Sequence, residues 1–191
     1  SPSQEPSLLL LSSRPWNSDL AKRVSRRLDR RVESITAPSQ LTPEAVAAID
    51  PRWIFVPHWS HWIPESIWGP WPTVIFHMTD LPYGRGGSPL QNLIKRGHTS
   101  TMLTALRCGA GLDAGDIYLK QPLSLHGSAE EIFLRADGLT EQMIERIVLD
   151  EPVATPQKGE PLVFSRRSPP ESNMASCPEG DLSAWYDQIR M

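Results

Sequence analysis

Thr73-Val74-Ile75-Phe76-His77-Met78-Thr79-Asp80 is an apolar run with a histidine near its end, and it leads directly into Leu81-Pro82-Tyr83-Gly84-Arg85-Gly86-Gly87-Ser88-Pro89. The β-branched residues predict a buried strand, and the glycines and prolines after it predict a loop before a helix. Ligands of open α/β sheets bind beyond the carboxyl ends of the strands. His77 is therefore predicted to lie where chemistry takes place.

On both sides of this run, predicted strands alternate with predicted helices. Apolar or β-branched segments predict strands at 8–11, 32–35, 53–56, 73–78, 101–106 and 117–123. Periodicity and capping residues predict helices at 17–30, from 42 onward, at 89–96 and at 128–148. Such alternation is typical of an α/β fold, in which a central, mostly parallel sheet carries helices on both faces.

The length of 191 residues is that of one domain with a sizeable core. We predict an α/β domain over 1–165. Residues 166–191 are predicted to form a polar C-terminal tail with a short helical or extended segment that packs on the domain. No room is expected for a second domain, and a homodimer is compatible with this organisation.

The charge balance excludes some classes of partner. With 19 basic and 22 acidic residues, the formal net charge is -3, so neither nucleic acid nor a membrane is expected as a partner. The basic face of the helix at 17–30 is interpreted as a solvated face and not as a phosphate site. The apolar run at 8–11 is far too short to span a bilayer. Cys108 and Cys177 lack the pattern of a disulfide framework or a zinc site, which indicates the reducing cytoplasm.

A second glycine-rich loop carries two carboxylates, in Gly109-Ala110-Gly111-Leu112-Asp113-Ala114-Gly115-Asp116. A carboxylate beside an imidazole fixes its tautomer and stabilises its cation, which suits proton transfer. Asp113 is therefore the predicted partner of His77. The alternative is that Asp113 and Asp116 only form turns by bonding to their own backbone.

Aromatic residues and two histidines follow the third predicted strand, in Pro57-His58-Trp59-Ser60-His61-Trp62. No carboxylate or thiol at ligand spacing accompanies the histidines, so a metal site is not expected. The tryptophans can stack on a flat heterocycle at a cavity mouth, or they can pack a loop over the sheet, and both interpretations stay open. The first strand-to-helix turn, Ser12 to Asn17, has no glycine, so ordinary binding of a dinucleotide is not expected.

Two motifs in this order resemble those of the folate-dependent formyltransferase family. Residues 77 to 91, His-Met-Thr-Asp-Leu-Pro-Tyr-Gly-Arg-Gly-Gly-Ser-Pro-Leu-Gln, match the His-to-Pro, His-to-Arg and His-to-Gln spacings of the family. Residues 111 to 117, Gly-Leu-Asp-Ala-Gly-Asp-Ile, are similar to its second motif, Gly-Leu-Asp-Thr-Gly-Asp. Weaker similarity covers residues 59 to 67 and 166 to 171.

The resemblance implies a three-layer, Rossmann-like fold and transfer of a formyl group from 10-formyltetrahydrofolate to a primary amine. His77 matches the catalytic histidine of the family, and Asp113 matches its aspartate. Ile75 stands where the family has a catalytic asparagine, and alternation along a strand places it on the same face as His77. Loss of such a donor costs about 2.7 to 4 kcal/mol of transition-state stabilisation.

The resemblance also implies binding roles for the loops. One group is expected to bind the pterin of the donor: Trp59, Trp62, Gly109, Gly111, Leu112 and Ala114. A second group is expected to bind substrate or to position the loop: Arg85, Gly86, Thr79 and Asp80. A nucleotide-linked amino sugar is the favoured acceptor. Two alternatives are a catalytically weakened member that binds a ligand or a partner protein, and hydrolysis of the formyl donor by water.

Overall fold

A computed structural model of the chain describes residues 5–166. The predicted tail at 166–191 therefore lies, except for Arg166, outside the described residues, and the division of the chain at 165 stays a prediction. Within the described part, no helix combines the length and the apolar composition that a bilayer span requires.

The centre of the fold is a six-stranded sheet. The strands described within 5–166 are β1 (Leu8–Ser12), β2 (Val32–Ile35), β3 (Trp53–His58), β4 (Thr73–His77), β5 (Tyr83–Gly86), β6 (Ser100–Arg107), β7 (Ile117–Ser124) and β8 (Leu162–Phe164). The main sheet has the order β2-β1-β3-β4-β6-β7. Its first four strands are parallel, whereas β6 runs antiparallel to β4 and β7 antiparallel to β6. The predicted mostly parallel sheet is confirmed.

Helices cover both faces of the sheet. They are α1 (Leu20–Leu28), α2 (Pro43–Ile49), α3 (Glu65–Trp68), α4 (Pro89–Lys95) and α5 (Ala129–Asp150). The Thr42 hydroxyl accepts from the Ala45 N–H at 3.1 Å and caps α2. The Ser128 hydroxyl accepts from the Glu131 N–H at 3.2 Å and caps α5. Both caps are those that the sequence predicts.

β1 is buried on both faces. Leu8 and Leu10 pack in a cluster with residues of α1, α4 and α5, whereas Leu9 and Leu11 pack with residues of α2 and α3. Successive side chains of a strand point to opposite faces, so a strand between two helical layers is apolar throughout. The four leucines of β1 therefore reflect the predicted three-layer arrangement.

The basic face of α1 packs against α5. Arg23 pairs with Asp137, and Arg27 pairs with Glu141 and Glu145. Arg27 is exposed and Arg23 is half-buried, so the solvated face that the sequence predicts also forms ion pairs, because α5 presents carboxylates along the line where the helices meet. These contacts fix α5 beside the carboxyl end of β1.

A two-stranded sheet was not predicted. β5 lies within the segment predicted as a loop, and it pairs in parallel with β8. Gly84 and Gly86 have φ values of +77° and +104°, which glycine adopts at little cost. A Cβ atom at Gly84 would lie 2.7 Å from Cγ2 of Thr79. The glycines that predict a loop thus allow β5 to approach the end of β4 closely.

Candidate active site

A cavity of about 540 Å³ lies beyond the carboxyl ends of β1, β3 and β4. Its remaining walls are residues 86–91, which end β5 and begin α4, the loop at 108–113 and one side of α5. Its volume falls within the range of about 300 to 1,000 Å³ that is typical of small-molecule sites. The position is the one expected for ligands of an open α/β sheet.

His77 is the last residue of β4 and is buried, with 8% of its surface exposed. Its Nε2 lies 2.7 Å from the carbonyl oxygen of Gly84 in β5. A carbonyl can only accept, so the Nε2 atom carries a proton. The other ring nitrogen, Nδ1, lies 3.7 Å from Oδ2 of Asp113. The contact to β5 therefore fixes both the tautomer and the orientation of the ring.

Asp113 reaches across the cavity from the loop between β6 and β7. Its Oδ2 accepts a hydrogen bond of 2.9 Å from the backbone N–H of Gly86. The residue has a φ of +49°, a left-handed conformation that aspartate and asparagine tolerate better than most residues. The carboxylate thus binds β5 and faces His77, so it does more than close its own turn.

Ile75 lines the same cavity as His77 and packs against the apolar cluster on that face of the sheet. Residues 75 and 77 of β4 point to one face, as the strand period requires. The structure therefore places an aliphatic side chain beside the His77 and Asp113 pair.

The predicted pterin-binding residues differ in whether they line the cavity. Five of them line the cavity: Trp59, Trp62, Gly109, Gly111 and Leu112. Ala114 is not among the residues that line it. Trp62 is 65% exposed at the mouth, whereas the indole N–H of Trp59 is buried and has no hydrogen-bond partner among residues 5–166. Their binding role stays a prediction.

The second predicted group has mainly positioning contacts. Gly86 lines the cavity, whereas Arg85 donates two hydrogen bonds to Oε1 of Gln157, at 3.1 and 2.8 Å. The Thr79 hydroxyl donates to the Gly84 carbonyl at 3.2 Å, and Asp80 pairs with Lys120 at 2.5 Å. Arg85, Thr79 and Asp80 do not line the cavity, so their contacts favour loop positioning over substrate binding.

Sequence reasoning missed one wall of the cavity. Trp16 follows β1 and stacks on Phe133 of α5, with ring centroids 4.3 Å apart. Asn17 donates to Asp137 of α5 at 2.5 Å, and all four residues line the cavity. The turn after β1 lacks glycine, but its place at the carboxyl end of a strand predicts contact with a ligand.

Cys108 also lines the cavity, but its thiol is not set up as a nucleophile. Burial, together with the negative charge of Asp113, raises the pKa of Cys108 to about 11. A thiol in that state carries little thiolate at neutral pH. No group of three or more histidine, cysteine, aspartate or glutamate side chains in the described part of the chain could hold a metal ion.

His58 is the histidine of this cavity whose pKa is shifted by its surroundings. Burial, and to a lesser extent the positive charge of Arg14, lowers the pKa of His58 to about 4. Its ring packs edge-on against Trp16 and Phe133. Protonation of His58 is thus unfavourable in the folded protein. As the pH falls below the ordinary pKa of 6.5, His58 takes up a proton in the unfolded chain at a higher pH than in the folded one.

The contribution of His58 to the free energy of unfolding is therefore expected to fall as the pH drops from 7 to 4. The contribution of His58 is fully present above the unfolded pKa of about 6.5, and it decreases as the pH falls toward the folded pKa of about 4. The whole change amounts to about 3 kcal/mol. His58→Phe keeps an aromatic ring and cannot titrate, so urea unfolding of this variant should have a shallower pH dependence. Parallel pH profiles of the two proteins would contradict the expectation.

The fold and site define an α/β domain with a histidine and aspartate pair at the carboxyl ends of its strands. The methionyl-tRNA formyltransferase of Clostridium thermocellum is 42% identical to this chain, over 98% of this chain and 83% of that one, with a TM-score of 0.93. No family model matches the sequence. The chain belongs to the folate-dependent formyltransferase family, and the resemblance of its motifs is confirmed.

Two further relatives show how far the similarity extends. A curated methionyl-tRNA formyltransferase of Wolinella succinogenes is 28% identical over 151 residues, which is 75% of this chain. The chain thus spans about half of that relative, 48% of its length. The formyltransferase PseJ of Anoxybacillus kamchatkensis, solved with tetrahydrofolate and a UDP-linked formamido sugar, is 16% identical, covers 95% and 97% of the two chains and has a TM-score of 0.70. That similarity concerns the fold alone, and it agrees with the predicted fold class.

Proposed function

We propose that this protein transfers a formyl group from 10-formyltetrahydrofolate to a primary amine. The observation that carries the proposal is the pair of His77 and Asp113, whose Nδ1 and Oδ2 atoms lie 3.7 Å apart beside an open cavity. Each of the two side chains is held by β5, His77 through the Gly84 carbonyl and Asp113 through the Gly86 N–H. Groups held in this way lose little freedom when a substrate binds.

The residues of the cavity fit a flat heterocycle with a polar edge. Trp59 offers a buried indole N–H without a partner among the described residues, and Trp62 offers an exposed ring at the mouth. Gly109 and Gly111 bring backbone groups to the cavity wall without side chains. Buried polar atoms are normally satisfied, so the Trp59 N–H is a candidate donor to such a ligand. The relative PseJ, solved with tetrahydrofolate, supports this ligand class.

The bound donor would supply an electrophilic formyl carbon and, in N10, a leaving nitrogen that takes up a proton. The Nε2 proton of His77 is committed to Gly84, so only Nδ1 can serve a reacting group. A proton on Nδ1 can be donated to the carbonyl oxygen as negative charge develops there. Donation from Nδ1 requires His77 as the imidazolium, which the Asp113 carboxylate stabilises, and it leaves the ring neutral. Asp113 accepts the proton that the amine loses, directly or through one water, and this proton would pass to the departing N10. One carbon–nitrogen bond forms and another breaks, so atoms and charge balance.

Two classes of acceptor are candidates. We propose a nucleotide-linked amino sugar first, because PseJ has the same fold over nearly its whole length and was solved with a UDP-linked formamido sugar. The second candidate is the amino group of methionyl-tRNA, which the 42% identity to a methionyl-tRNA formyltransferase favours. The net charge of -3 favours the smaller substrate, since a tRNA is attracted by basic surfaces.

The proposal predicts product that depends on an amine. The protein, incubated with 10-formyltetrahydrofolate and either amino sugar nucleotides or methionyl-tRNA, is expected to yield an N-formyl product, which mass spectrometry detects. Formate released at the same rate without any amine would instead indicate hydrolysis. Saturable binding of the donor without turnover would indicate a binding protein and would contradict the proposed transfer.

A further inference from the structure

Gln157 lies outside every motif of the sequence, in the segment after α5, yet it contacts both loops of the site. Its Nε2 donates to the backbone carbonyls of Asp113, at 2.8 Å, and Gly115, at 3.0 Å. Its Oε1 accepts the two hydrogen bonds from Arg85. An amide side chain has two donor hydrogens and one oxygen with two lone pairs. The whole hydrogen-bonding capacity of Gln157 is therefore used between these two loops.

These contacts complete a ring of hydrogen bonds around the catalytic pair. Arg85 lies in β5 between Gly84, which accepts from His77, and Gly86, which donates to Asp113. Gln157 joins this strand to the backbone of the loop that carries Asp113. Nearby, Thr155 pairs with Ile117 at the start of β7 and ties the segment to the main sheet. Gln157 thus joins the two backbone segments that hold His77 and Asp113, and its own hydrogen bonds go to neither of these two side chains.

We propose that Gln157 is a positioning residue that holds the Asp113 loop at its distance from His77. Its effect on turnover rests on the proposed formyl transfer, whereas its effect on the geometry does not. Misplacement of a catalytic group by about 1 Å can cost about 10²-fold in rate. Gln157→Ala is expected to lower kcat by about 10- to 100-fold.

Gln157→Glu separates the two halves of the contact. A glutamate keeps the oxygen atoms that accept from Arg85 and has no N–H for the carbonyls of Asp113 and Gly115. Its kcat is expected to fall as far as that of the alanine variant. Lys158→Ala, at the exposed neighbouring residue, is the matched control and is expected to keep the wild-type kcat.

A double-mutant cycle distinguishes positioning from general destabilisation. If Gln157 acts through Asp113, Gln157→Ala should lower kcat by less than about threefold in the Asp113→Asn background. A merely structural role would cost the same factor in both backgrounds, and that result would overturn the inference.

Amide hydrogen exchange tests the geometry without any turnover. Exchange at the Gly86 N–H, which binds the Asp113 carboxylate, is expected to be at least about tenfold faster in Gln157→Ala, while the Ile54 amide in β3 stays protected. Unchanged exchange at Gly86 would overturn the inference even if kcat fell. If the wild-type protein transfers no formyl group, the proposed function fails, and the exchange result alone decides the role of Gln157.

Discussion

Ile75→Asn is expected to raise kcat for formyl transfer by up to about a hundredfold. The substitution places an amide on the face of β4 that lines the cavity, two residues before His77. An N–H group aimed at the developing oxyanion stabilises the transition state more than the ground state. The measurement is kcat and KM for the amine at saturating 10-formyltetrahydrofolate. The gain should appear mainly in kcat.

Ile75→Leu is the matched control, because it changes the shape of the side chain and adds no donor. No gain in kcat is expected from it. Ile75 is partly buried against an apolar cluster, so the asparagine variant should lose some stability, which thermal unfolding measures independently. Equal kcat values for the two variants would mean that the missing amide does not limit the rate.

His77→Gln and Asp113→Asn are each expected to lower kcat by about 10² to 10⁴. Glutamine retains an N–H donor for the Gly84 carbonyl but cannot exchange a proton in the neutral range. Asparagine tolerates the left-handed backbone at position 113 and lacks the negative charge. Steady-state kinetics of the purified variants provide the measurement.

The double variant adds a test of whether the two residues act as one unit. Residues that share a single proton-transfer step show strongly non-additive effects, so the double variant should be about as slow as the slower single variant. Circular dichroism and the unfolding midpoint serve as controls for folding. Wild-type turnover in either single variant would disprove the proposed mechanism.

The main sheet could be predicted because its strands carry their own signal. Leu8 to Leu11 and Trp53 to Val56 are apolar on both faces, which is typical of a short strand between two helical layers. The direction of β6 could not be predicted, since the composition of a strand does not state whether its neighbour is parallel. β5 was missed because Gly84 and Gly86 resemble loop residues until the close approach to Thr79 is known.

The proximity of His77 and Asp113 could be predicted because each residue lies at a strand end or in a glycine turn with recognisable spacing. Gln157 could not be, since a glutamine in an irregular segment has no local pattern that reveals its partners. Its contacts to Arg85 and Asp113 join residues 72 and 44 positions apart in sequence. The position of Trp16 after β1 is a signal that the sequence carries, whereas its stacking on Phe133 depends on the packing of α5 against that turn.

The pairing of β5 with β8 also determines when the site can form during synthesis. A nascent chain that ends at Asp150 already contains all six strands of the main sheet and all the helices described within 5–166. It still lacks β8, whose Phe164 pairs with Gly86, and it lacks Gln157. The segment at 151–164 must therefore leave the ribosome before the contacts described for β5 can form. The main sheet and its helices can therefore be complete before β8 and Gln157 hold β5 in contact with His77 and Asp113.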